Sequence, residues 1–81
     1  SEECHEAEMF RMADTQTLAK MIERLPLVQQ EIVHLRFYED LSFKEIAQVT
    51  NVSINTALGR MRYATLNLRK MIEDYSLDLA V

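Results

Sequence analysis

The chain has 81 residues, with one Gly, one Pro, one Cys and 48% hydrophobic residues. That length makes one small domain with room for a single core, and the composition suits ordinary helix formers. Nine Lys and Arg against thirteen Asp and Glu leave a net charge of −4, which as a whole repels polyanions. No apolar run approaches the eighteen or so residues needed to cross a bilayer, and no basic segment followed by an apolar block marks a signal peptide. Cys4 stands alone, so no internal disulfide can form and a cytoplasmic location is expected. The chain starts at Ser, as a fragment of a longer protein would.

In chain order, residues 1–6 are polar and charged and are expected to fray. Cys4 and His5 are adjacent potential ligands in that end, a poor metal site, so no metal or other cofactor is expected. From about Glu6 to Arg24, Phe10, Ala13, Leu18, Met21, Ile22 and Leu25 recur every three or four residues, which predicts an amphipathic helix. Leu25-Pro26 is a boundary, with Pro placed as the first residue of the next helix. That helix is predicted to run to about Phe37, burying Val28, Ile32 and Leu35 with Val33 and Phe37 on its flank. Residues 7–37 thus supply two supporting helices, and Glu39-Asp40-Leu41 connects them to the second half of the chain.

Ser42-Phe43-Lys44-Glu45 has the pattern of a capping box and opens a short helix ending near Thr50. Asn51 stands where a left-handed turn residue is needed. Ser53 caps the last helix, predicted from Ile54 to about Tyr75 with a core stripe of Ala57, Met61, Ala64, Leu68 and Met71. A small residue (Ala47), a turn residue four positions on (Asn51) and the plugs Val52 and Ala57 form a helix-turn-helix pattern within residues 42–75. The whole reads as one all-α, four-helix domain with a C-terminal helix-turn-helix, of the winged-helix-like DNA-binding class without a wing.

The charge is unevenly spread. Residues 41–72 carry Lys44, Arg60, Arg62, Arg69 and Lys70 against Glu45, whereas residues 1–40 hold nine of the acidic side chains and 73–81 add Glu73, Asp74 and Asp78. The basic surface coincides with the helix-turn-helix. Opposite the core stripe, the last helix presents Asn55, Thr56, Gly59, Arg62, Tyr63 and Leu66. With Ser53 at its start, these short polar groups suit base edges or phosphates, and Arg62 suits guanine or a phosphate. Gly59 costs about 1 kcal/mol in a helix interior, which either serves close approach to DNA or is a tolerated surface glycine. Arg60 lies toward the flank, equally placed to meet a phosphate or to pair with Glu45 or Glu31. Lys44, Ser53, Asn55, Thr56, Gly59, Arg60, Arg62 and Tyr63 are the candidate DNA-binding residues. His34 reads as a surface residue, the methionines chiefly as core, and no residues have the pairing an enzyme's acid, base or nucleophile requires. Leu77, Leu79 and Val81 in the tail either pack back or await a partner.

Leu25-Pro26, Ile32, Leu35, Leu41-Ser42, Glu45-Ile46-Ala47, Ser53, Thr56, Arg60, Ala64 and Leu68-Arg69 together resemble region 4 of bacterial sigma factors, most closely the extracytoplasmic-function group. The resemblance covers about residues 18–72. It implies a last helix that enters the major groove of the −35 promoter element, docking on the flap of the RNA polymerase β subunit, and capture by an anti-sigma factor. The chain departs from the family pattern at Asn51, where Gly is usual. It also departs at Leu58, Tyr63 and Thr65, where basic residues are common. These losses imply weak DNA binding by the isolated, monomeric domain, made useful by tethering on polymerase. Two rival readings stand beside this one. One is a dimeric helix-turn-helix regulator of the response-regulator kind. The other is a helix-turn-helix-fold interaction domain that has lost DNA binding, in keeping with the acidic net charge.

Overall fold

The computed structural model describes residues 14–80, with side chains for residues 14–75. Four α-helices and no strands are found among them: α1 (Thr15–Glu23), α2 (Leu27–Val33), α3 (Phe43–Thr50) and α4 (Ile54–Ala80). Helix α2 runs on into a π-helical turn, His34–Tyr38.

Asp14, the N-cap of α1, is extended (ψ 139°), and the stretch predicted as helix from about Glu6 up to Ala13 lies outside the described residues. Helix α1 begins at Thr15, whose near neighbour Thr17 donates its hydroxyl to Asp14 Oδ2 at 3.2 Å. The expected positions Phe10 and Ala13, like Cys4 and His5, lie outside the described residues. At the Leu25-Pro26 corner the Gln30 side-chain amide donates to the carbonyls of Glu23 (3.1 Å) and Leu25 (2.7 Å). These bonds satisfy the open carbonyl end of α1 from the next helix. Pro26 is the N-cap of α2, one position earlier than predicted, with φ −53° and ψ 149°.

The core is one cluster: Met21, Leu25, Ile32, Val33, Ile46, Ala47, Ala57, Met61, Ala64 and Leu68, with Leu35, Phe37, Val52, Met71 and Ile72 packed partly against it. The α4 stripe is as predicted. In α2 the prediction is corrected: Val28 is 49% exposed while Val33 is buried. Val28 sits in the first turn, outside the packed stretch. Beyond Val33 the Glu39 N–H reaches the carbonyl of His34 (3.0 Å), five residues back, so the wider turn shifts every later side chain from the 3.6 period. Val49 in α3 is also exposed, at 64%. Helix α4 continues to Ala80, beyond the predicted end near Tyr75.

The connection between the π-helical turn and α3 is pinned at several points. Asp40 takes the left-handed conformation (φ 57°), which Asp tolerates better than most residues. The Leu41 N–H donates to the carbonyl of Leu35, and Arg36 Nη1 donates to the carbonyl of Leu41, both at 3.0 Å. The Arg36 guanidinium also lies over the Phe43 ring, 4.7 Å from its centre, a cation–π contact. Between α2 and α4, Asn67 Nδ2 donates to Gln29 Oε1 at 2.8 Å. These contacts fix the frame that carries α3 and α4. No described helix is long and apolar enough to cross a membrane.

Candidate nucleic-acid interface

Helix α3 starts with both halves of the capping box. The Glu45 N–H donates to Ser42 Oγ (3.1 Å), and the Ser42 N–H donates to Glu45 Oε1 (3.0 Å). The hydrogen bond from the Ser42 backbone, and then that with its side chain, hold the Glu45 carboxyl below its ordinary pKa, against a smaller desolvation effect. The helix stops because Asn51 is left-handed (φ 57°, ψ 46°). The Val52 N–H then reaches the carbonyl of Ala47 (3.0 Å) and the Asn51 N–H that of Gln48 (3.4 Å). That pair of bonds is a Schellman ending with Asn in the position usually held by Gly. Ala47 and Ala57, at 6% and 0% exposure, sit where the two helices approach. A longer side chain at either would wedge them apart.

Helix α4 begins with its own cap: the Thr56 N–H donates to Ser53 Oγ at 3.0 Å, and the two hydroxyls are bonded at 2.9 Å. Ser53 and Thr56 are therefore cap partners as well as surface groups. Asn55, Arg62 and Tyr63 are exposed, Tyr63 at 63%. Together with Gly59 they occupy the side of α4 turned from Ala57, Met61, Ala64 and Leu68. A methyl group added at Gly59 would meet nothing within 4 Å, so packing inside the protein does not require glycine there. Lys44 is exposed on α3, next to the capping box.

Arg60 differs from the rest. It is half-buried, and among the described residues it makes no ion pair with Glu45 or Glu31; the ion pair found is His34 Nε2 to Glu39 Oε1 at 3.3 Å. Thr65 corrects the sequence reading more sharply. It is 6% exposed and its hydroxyl donates to the carbonyl of Met61 at 2.8 Å. It belongs to the core side of α4, so a basic residue is not missing from the outer face there. Leu58 and Tyr63 are on the surface, and the reduced charge concerns those two positions.

Arg36 and Gln30 escaped the sequence reading, although both hold the frame in place. Their signal was weak because each acts on backbone carbonyls, which no side-chain pattern records. A second surface feature lies away from the helix-turn-helix: an open groove between α1 and α2, lined by Ile22, Leu27, Glu31, His34, Leu35 and Tyr38 among others. Leu27 at its edge is 81% exposed, and His34 stacks on Tyr38 with ring centres 5.5 Å apart.

Two capped helices joined through a left-handed residue, with a small residue at their crossing and a polar outer face on the second, define a helix-turn-helix domain. Family comparison takes this further. Residues 15–60 match the family described as sigma-70, region 4. That span is more than half the chain, and the chain belongs to this family. It is 37% identical over 54 residues, 67% of this chain, to the RNA polymerase sigma factor SigV of Bacillus subtilis (strain 168). The chain spans about a third of that relative's length, the match covering 32% of it. No solved structure matches the chain.

Proposed function

We propose that this chain is the promoter-reading domain of an RNA polymerase sigma factor, and that α4 enters the major groove of the −35 element. The observation that carries the reading is the outer face of α4: Asn55, Gly59, Arg62 and Tyr63 side by side on a helix held at a rigid turn. Arg62 reads guanine or a phosphate, and Asn55 suits adenine. The Ser53–Thr56 cap meets the backbone beside the positive end of the helix dipole. Lys44 on α3 contributes a further phosphate contact. The family match supports this reading because it includes α3, the turn and the start of α4, residues 54–60.

Polymerase and the domain act together. With about four phosphate contacts, log affinity falls with log salt at a slope of about −3.6, so the isolated domain binds weakly in cytoplasmic salt. Tethering supplies the missing affinity. The groove between α1 and α2 offers the flap of the β subunit an apolar seat, and an anti-sigma factor would compete for the same domain.

Selection from a randomised duplex library tests the reading. A sequence-specific reader enriches one short element, and its binding weakens steeply as salt rises. No enrichment would favour an interaction domain without DNA binding. Enrichment of a palindrome by a stable dimer would favour a response-regulator type of regulator.

A further inference from the structure

Two apolar side chains at the start of α4 stay outside the protein's own core. Ile54 is 47% exposed and Leu58 43%, and neither belongs to the core cluster or to the residues packed against it. Neighbours on a helix surface lie three and four residues apart. Leu58 therefore stands between Asn55, three residues before it, and Arg62, four after it, with Ile54 one turn behind. Gly59 beside it adds no side chain, and a methyl group there would meet nothing within 4 Å. An apolar group thus separates the side chain suited to adenine from the one suited to guanine.

Charge narrows what covers this spot. Across residues 41–72 the acidic side chain is Glu45 alone, and its carboxylate accepts the Ser42 N–H in the capping box. A second copy of the chain would set its own Lys44, Arg60 and Arg62 against the same residues. A polyanion meets no such repulsion. In the major groove of DNA the hydrogen-bonding edges are joined by one apolar group, the 5-methyl of thymine. An A·T pair whose adenine is read by Asn55 carries that methyl in the same groove. Position along the helix also singles out Ile54 and Leu58, because helix-turn-helix domains contact base edges with the N-terminal residues of the second helix. The exposed Leu66 lies about 18 Å further along the axis than Ile54.

We propose that Leu58, backed by Ile54, sets sequence preference by packing on thymine 5-methyl groups. The element then carries thymine against the first two turns of α4. This inference rests on the DNA reading of α4 and adds an apolar discrimination that salt does not screen. A basic residue at position 58, common in the family, would place a charge there instead of an apolar surface.

The test uses the full chain and a duplex that it enriches from the randomised library, titrated by fluorescence anisotropy. Each thymidine is replaced in turn by deoxyuridine, which removes the methyl group and keeps pairing and charge. At one or two positions the replacement weakens wild-type binding about fourfold, the worth of one buried methyl, with an unchanged salt slope. Leu58→Ala binds the thymine duplex about as weakly as wild type binds the uracil one, and no longer distinguishes the two. Leu58→Lys binds both duplexes more tightly, with a salt slope steeper by about one, and is equally blind to the methyl. Both variants put a good helix former at an exposed position and keep the wild-type melting curve. Equal wild-type binding of thymine and uracil at every position would overturn the proposal and leave DNA reading intact. A methyl effect that persists in both Leu58→Ala and Ile54→Ala would assign it to another side chain and overturn the proposal too. Enrichment of no sequence would remove the DNA reading itself, and the proposal with it.

Discussion

The Val52 N–H donates to the carbonyl of Ala47 at 3.0 Å across the left-handed Asn51, and this bond sets the angle at which α4 leaves α3. A non-glycine residue in that conformation carries a steric cost of about 1–2 kcal/mol, least for Asn and Asp. Asn51→Gly therefore raises stability to urea by about 0.5–1 kcal/mol and leaves the DNA face in place. Asn51→Val, β-branched, lowers it by about 1–2 kcal/mol. Equal stability of the two variants would show that the turn does not depend on the left-handed residue.

Gly59 separates stability from function. A methyl group there meets open space, so Gly59→Ala stabilises the helix by about 1 kcal/mol. If DNA approaches the bare backbone, the same change weakens binding to the selected duplex. A more stable protein with unchanged affinity would mark Gly59 as a tolerated surface glycine.

Positions 63 and 65, two at which the family commonly carries basic residues, respond oppositely. Tyr63 is exposed, so Tyr63→Lys tightens DNA binding and steepens the salt slope by about one. Thr65 is buried with its hydroxyl on the Met61 carbonyl. Thr65→Lys drives an ammonium against the core and costs about 2 kcal/mol or more by chemical denaturation. A well-folded Thr65→Lys protein with tighter DNA binding would place that side chain outward after all.

The capping box predicts an acid-sensitive α3. Hydrogen bonding from the Ser42 backbone and side chain lowers the folded-state pKa of Glu45. A lowered folded-state pKa means stabilisation that is full above the ordinary glutamate range and is lost as pH falls through the lowered value. Glu45→Gln removes that part of the pH dependence, so its thermal melts change less than wild type on acidification. Parallel curves for the two proteins would show that Glu45 contributes nothing to the acid sensitivity.

Much of the helix-turn-helix was legible because its signals are local. Ser42 with Glu45, Asn51 after Thr50, and Ser53 with Thr56 each act within four residues, and the structure shows all three arrangements. The Ala57-to-Leu68 stripe was legible because α4 keeps a regular α-helical period there. Val28 was misassigned because it lies in the first turn of α2, outside the packed stretch. The flank beyond Val33 was misassigned because the π-helical turn His34–Tyr38 breaks the period there, which no residue type announces. Thr65 was read through a family habit of basic residues rather than through its place beside Met61 and Leu68. The Gln30 and Arg36 clamps depend on how backbone carbonyls are presented in three dimensions, which a sequence pattern does not record.

Arg62→Ala, titrated against the selected duplex, tests the central claim most directly. If α4 reads DNA with this face, affinity falls by about 1–3 kcal/mol and preference relaxes at one base position, with melting behaviour unchanged. Unchanged affinity and preference in a protein that melts like wild type would contradict the claim that this face of α4 reads DNA.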